Sequence, residues 1–261
     1  MTCYDRELLG LVPRVLRARD FHLYLEGGKR LTDLWRSGGK AILGHKRPRV
    51  LGELKNAAER GLFCALPHPL ERRFFKTLAQ FFPGRAFRLF MNEGSMYRAL
   101  VKAGFTDPVP LWRPFMREQG AGSMKIFIPI LPWPLGPEVL VFESSMEDSF
   151  LPGELIPPVL LAPAARALCD LSAVIKTNTF PKYQRINKIF AVPNGTGPVS
   201  CRWQRQGIYL TTETAGEEYA ALFRNFLEHG FLLPPSPAEP LILPFSMSDG
   251  EESKLSQLLV N

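Results

Sequence analysis

FHLYLEGGKRLTDLWRSGGKAILGHKRPRV, residues 21–50, decides how the rest of the chain is read. From Phe21 to Leu34 it reads as two short strands around a turn at Gly27-Gly28-Lys29-Arg30, because paired glycines tolerate the positive φ that a tight reversal demands. Pro48 then stands at the first position of a helix, where its missing N–H is harmless; Val50, Leu51, Leu54 and Ala58 keep helical spacing and Gly61 stops it. A second helix follows the same grammar, starting near Pro69, carrying Phe74, Phe75, Leu78 and Phe82 at core spacing, and ending at Pro83-Gly84.

Working outward, Ala86 to Met91 reads as a compact strand, followed by Asn92-Glu93-Gly94-Ser95 and a helix with Tyr97, Leu100 and Val101 on one face, closed by Gly104. Strand, glycine turn and helix in that order form a phosphate-binding grammar. Free N–H groups in the first helical turn and the helix dipole favour a dianion, glycine lets backbone approach it, and a serine adds a donor. Gly94 and Ser95 are therefore the candidate anion-binding residues, against the bland reading that most such turns bind nothing.

The middle of the chain is Pro-rich: Met124 to Leu131 and Val139 to Phe142 predict two strands joined by an irregular link through Pro132, Pro134, Gly136 and Pro137. Pro163 to Ile175 predicts a buried helix, with Arg166 and Asp170 placed to pair across one turn. Asn194-Gly195-Thr196-Gly197-Pro198 predicts a loop and a domain boundary, dividing the chain into 1–198 and 199–261. Beyond it, Trp203 to Thr212 reads as strand and Glu217 to Glu228 as an amphipathic helix with Tyr219, Leu222, Phe223 and Phe226 inward. Strands near Phe231 to Leu233 and Leu241 to Phe245, then a helix from Asp249 to Leu259, complete a small α+β domain.

Composition fits a globular protein: 261 residues, 46% hydrophobic and 11% aromatic. Met1 to Gly10 holds no apolar signal region, and the apolar run Leu155 to Ile175 is broken by Pro157, Pro158, Pro163, Arg166 and Asp170, so no membrane span and a cytoplasmic location are expected. Cys3, Cys64, Cys169 and Cys201 form no C-x-x-C pair and the four histidines are scattered, so no metal site or disulfide framework is expected. Up to Lys125 there are 23 Lys and Arg against 11 Asp and Glu, and beyond it 9 against 14. The basic half would favour a phosphorylated small molecule or an acidic partner; no nucleic-acid motif accompanies it, and Phe74 and Phe82 follow core periodicity, so nucleic acid is not the expected ligand.

Three stretches together resemble the class-III aminotransferases, the group that includes glutamate-1-semialdehyde aminomutase. Gly28-Lys29-Arg30-Leu31-Thr32-Asp33-Leu34 through Leu43-Gly44-His45-Lys46-Arg47-Pro48-Arg49-Val50 is similar to the family's opening "DGKRYLDF…G…LGH.HP.V". Phe90-Met91-Asn92-Glu93-Gly94-Ser95 stands where the family has "N-S-G-[STA]-E-A", the cup for the pyridoxal 5'-phosphate (PLP) phosphate. Leu227-Glu228-His229-Gly230-Phe231-Leu232-Leu233-Pro234-Pro235-Ser236-Pro237-Ala238-Glu239 is similar to "LL..GV.L.PS.FE". The resemblance implies an α/β chain of reduced PLP fold type I architecture, shortened and degenerate, with a truncated large domain and a small α+β C-terminal domain. It further implies PLP as cofactor, with Gly94 and Ser95 at its phosphate, and a homodimer or a complementing subunit as partner.

The departures set the functional expectation. Neither the "DE...GF" aspartate that would hold the pyridinium nitrogen nor the "GK..GG" lysine that would form the Schiff base is found, Glu93 replaces a small polar residue in the cup, and Met96-Tyr97 replace Glu-Ala. The expected role is a non-catalytic scaffold or an anion- or cofactor-binding remnant, with no assigned catalytic residue. One alternative is an active aminotransferase or aminomutase using an atypical lysine, Lys176 after a buried apolar run or Lys188 before an apolar strand, with Glu143 as pyridinium partner. Another is a basic interaction module for nucleic acid or an acidic protein. His45 of the G-H-x-x-P turn could line a cleft or dimer interface; its expected role is to cap the helix at Pro48.

Overall fold

A computed structural model describes residues 6–116, 122–177, 183–191 and 202–260. In chain order the elements are α1 (Arg6–Gly10), β1 (Val15–Arg19), β2 (His22–Leu25), β3 (Arg30–Asp33), α2 (Pro48–Glu59), α3 (Pro69–Phe81), β4 (Arg85–Phe90), α4 (Glu93–Lys102), β5 (Leu111–Trp112), β6 (Ile126–Pro129), β7 (Glu138–Glu143), α5 (Pro158–Thr177), α6 (Gln184–Ile189), β8 (Trp203–Gln206), β9 (Tyr209–Thr212), α7 (Gly216–Glu228), β10 (Phe231–Leu232), β11 (Leu241–Ile242) and α8 (Asp249–Val260). The chain parts into two compact units, one of residues 47–178 and one that joins 2–46 to 179–261. The boundary expected at 198 lies outside the described residues. The grouping itself differs from that expectation, because β3 pairs in parallel with β10 and so ties the N-terminal strands to the C-terminal portion.

The unit of residues 47–178 is a sheet with helices on both faces. Its strand order is β4-β7-β6-β5, antiparallel except for the parallel β5–β6 pair. Val139, Leu140, Val141 and Phe142 are all fully buried, which a strand achieves only when both faces of its sheet are covered. Val139 and Val141 face Phe74, Leu78 and Phe82 of the α3 segment and Leu161, Ala165 and Leu168 of α5. Leu140 and Phe142 face Met96 and Leu100 of α4 together with Phe150. The inward face of α4 is therefore Ser95, Met96 and Leu100; Val101, expected inward, is 63% exposed. Among the described residues α5 alone is long and apolar enough to cross a membrane, and it is the helix that fills this core. Its Arg166 and Asp170 pair as expected, at 2.7 Å.

The second unit holds an antiparallel meander β1-β2-β3 extended by β10, and a smaller sheet β11-β9-β8. Gly27 and Gly28, at φ 80 and 79, make the β2–β3 reversal. The run 203–212, read as one strand, is a hairpin, because Gly207 at φ 64 reverses it after Gln206.

Glu251 in the first turn of α8 fastens that helix to the meander. Its Oε1 accepts from His22 Nε2 and Arg30 Nη2, each at 2.9 Å, and from Thr32 Oγ1 at 3.2 Å, while Oε2 accepts from Ser248 N–H and Oγ. Burial alone would raise this carboxyl's pKa, but the Ser248 hydrogen bonds and His22 outweigh it and hold it at about 2 against an ordinary 4.5. A depressed acid pKa stabilises the fold above pH 4.5, and that contribution is lost as pH falls toward 2. Glu251→Gln is expected to destabilise the protein at pH 7 by about 1–2 kcal/mol, after allowing for solvent screening. It should also flatten the stability decline between pH 4.5 and 2 in urea titrations; an unchanged acid limb would refute the assignment.

Candidate functional site

The turn at the start of α4 is built from the expected residues. Asn92, extended at φ −156, caps the helix, its Oδ1 accepting from Ser95 N–H at 2.9 Å. A Cβ on Gly94 would lie 3.2 Å from that same Oδ1, so glycine leaves room for the cap. Ser95 is buried, and its hydroxyl lies 3.0 Å from Asn92 O and 3.1 Å from Glu154 Oε2. Glu154 Oε2 also accepts from Met91 N–H at 2.7 Å. A carboxylate from 59 residues downstream thus sits among the donors that a phosphate would use. Sequence spacing carried no signal for Glu154, because its position depends on residues 150–156 returning along β4.

That arrangement tests the implied PLP phosphate. Ser95 N–H serves Asn92, Met91 N–H and the Ser95 hydroxyl serve Glu154, and Glu93 adds a second carboxylate to the first turn. A dianion there would meet the carboxylates of Glu154 and Glu93 and compete with Glu154 for the Met91 N–H and the Ser95 hydroxyl, so the residues as arranged do not fit a phosphate.

Of the other residues singled out in the sequence, Glu143 and Lys176 belong to the same unit as this turn, and His45 and Lys188 to the second unit. Glu143 ends β7 and lies 3.9 Å from Arg85 Nη1. Lys176 is exposed in the last turn of α5, and Lys188, expected just before an apolar strand, is exposed near the end of helix α6. His45 does not cap α2, whose N-cap is Arg47 with no side-chain hydrogen bond. Instead its Nε2 lies 2.9 Å from Asp33 Oδ2, and its backbone bridges to Asp20.

Asp33 anchors a buried polar cluster. Its Oδ1 accepts from the N–H groups of Trp35 and Arg36, at 2.9 and 2.8 Å. Arg36, in left-handed backbone at φ 52, is fully buried; its guanidinium donates to Asp33 O, Ile42 O and Ile242 O and lies 4.8 Å from the Phe21 ring centroid. Burial lowers its pKa to about 10, with Asp33 opposing the shift, so it stays charged at neutral pH. Trp35 Nε1 donates to Glu239 Oε2 at 2.6 Å. Asp33, Arg36 and His45 fall inside the first family-like stretch and Glu239 inside the third, so this cluster is what those residues build in the second unit.

Comparison with known proteins agrees with the fold. No family model matches the chain. An uncharacterized protein of Treponema pallidum is 25% identical over 94% of this chain and 93% of its own length. Glutamate-1-semialdehyde 2,1-aminomutase of Thermus thermophilus is 33% identical over 38% of this chain, a match that spans only 24% of the aminomutase. Among solved structures, ornithine delta-aminotransferase of Plasmodium falciparum superposes with a TM-score of 0.70 at 12% identity, over 95% of this chain and 92% of that one. The motifs, the two-faced sheet and these likenesses converge: the chain has a class-III aminotransferase-like α/β fold of the PLP-dependent transferase type.

Proposed function

We propose that this protein is an aminotransferase-like scaffold that does not transaminate, working in the cytoplasm as a homodimer or with a complementing subunit. The observation that carries this reading is that no lysine among the described residues is buried. A Schiff-base lysine must be desolvated to lower its pKa into the reactive range, and neither Lys176 nor Lys188 is. The buried carboxylates offer no substitute for the pyridinium partner. Asp33 serves His45, Asp170 serves Arg166, Glu239 serves Trp35, and Glu252 accepts the N–H groups of Arg185 and Ile186. Mixing the purified protein with PLP is expected to give no saturable aldimine band, and borohydride reduction only diffuse labelling of surface lysines. One stoichiometrically modified lysine, with the band lost when it is changed to alanine, would overturn the proposal and support an active enzyme.

A further inference from the structure

We infer that Glu154 is a built-in ligand of the turn at the start of α4, a carboxylate that closes the anion cup to outside phosphate. The inference rests on the non-catalytic reading and names what fills the cup.

Residues 150–156 form a strap along the side of β4 away from β7. Arg88 Nε donates to Leu151 O at 3.1 Å, and Glu154 N–H donates to Leu89 O at 2.7 Å. Gly153 lies so close to β4 that a Cβ there would stand 2.8 Å from both the N and the O of Leu89. Backbone contact therefore sets the position of Glu154 before its side chain chooses a rotamer, and the side chain then reaches Met91 N–H and the Ser95 hydroxyl. The helix dipole favours an anion at this point, and a monoanion tied to the same chain supplies it with less charge to desolvate than a phosphate dianion. Tethering gives the carboxylate an effective concentration on the order of millimolar or more, which an outside phosphate must overcome. Glu154 also lines a groove of about 600 Å³ with Phe75, Phe87, Arg88 and Glu147, so removing its side chain opens the cup toward that groove.

Isothermal titration with inorganic phosphate and with 4'-deoxypyridoxine 5'-phosphate tests this directly. The second probe lacks an aldehyde and reports the cup independently of any lysine. Wild-type protein is expected to show no saturable binding, while Glu154→Ala and Glu154→Ser bind both probes at least about tenfold more tightly, a gain removed by adding Ser95→Ala. The serine variant guards against the alanine variant failing to fold, with far-UV circular dichroism recorded for each. Wild-type affinity equal to that of the variants, or folded variants that bind neither probe, would overturn the inference. Neither result bears on transamination, whereas a stoichiometric aldimine on the wild-type protein would refute the non-catalytic reading whatever Glu154 does.

Discussion

Replacing Arg36 by methionine is expected to lower the stability of the protein by about 3–5 kcal/mol, the range for breaking a buried charge network by removing one partner. The side chain is 0% exposed, and its guanidinium ties the nearby carbonyls of Asp33 and Ile42 to that of Ile242, 206 residues on. Methionine fills much of the volume but leaves all three acceptors without that donor and strips a counter-charge from beside Asp33. Arg36→Lys should recover little, because an ammonium cannot reach Ile42 O and Ile242 O with the spread of a planar guanidinium. Urea unfolding followed by circular dichroism measures both, and a loss below about 1 kcal/mol for the methionine variant would show that the network is dispensable.

Phe74→Ala is expected to remove a comparable about 3–5 kcal/mol from the other unit. Phe74 is 0% exposed in the cluster that includes Leu78, Phe82, Leu89, Phe127, Val139 and Leu161. Deleting the ring forfeits its transfer free energy and leaves a void that α5 and the sheet can only partly close. Phe74→Leu, nearer in volume, should lose no more than about 1.5 kcal/mol. Trp112 stands 4.9 Å from Phe82 ring to ring, so in a variant with Trp35 and Trp203 of the other unit changed to phenylalanine, tryptophan emission reports on this unit. Equal stabilities of the alanine variant and the wild type would contradict the close packing around Phe74.

Local grammar carried much of the fold. Pro48 and Pro69 mark the starts of α2 and α3, and Gly27-Gly28 marks the β2–β3 turn, because each acts through its own backbone. Where the outcome depends on distant partners the reading failed. β1 was not seen, since its residues are largely exposed and it is held by pairing with β2. Lys188 was set before a strand but lies on α6, a short helix whose first N–H groups are satisfied by Glu252, 66 residues on. The candidate site divides the same way. The strand-then-helix order around Asn92 to Ser95 was legible, although Glu93, Gly94 and Ser95 lie in the first turn of α4 and Asn92 is its cap; Glu154 and the burial of Arg36 were not, because a charged side chain reads as solvated until its long-range partners are known.

The pairing of β3 with β10 has a kinetic side. Thr32 meets Phe231 across nearly the whole chain, so during synthesis the N-terminal meander must wait for its fourth strand. At a ribosomal rate of about 5–20 residues per second, the wait after residue 178 is on the order of several seconds, while residues 47–178 are already available to condense. The intervening time leaves an edge of β3 open, so the wait for β10 is when a nascent chain is most exposed to pairing with a neighbour, and its arrival closes that edge.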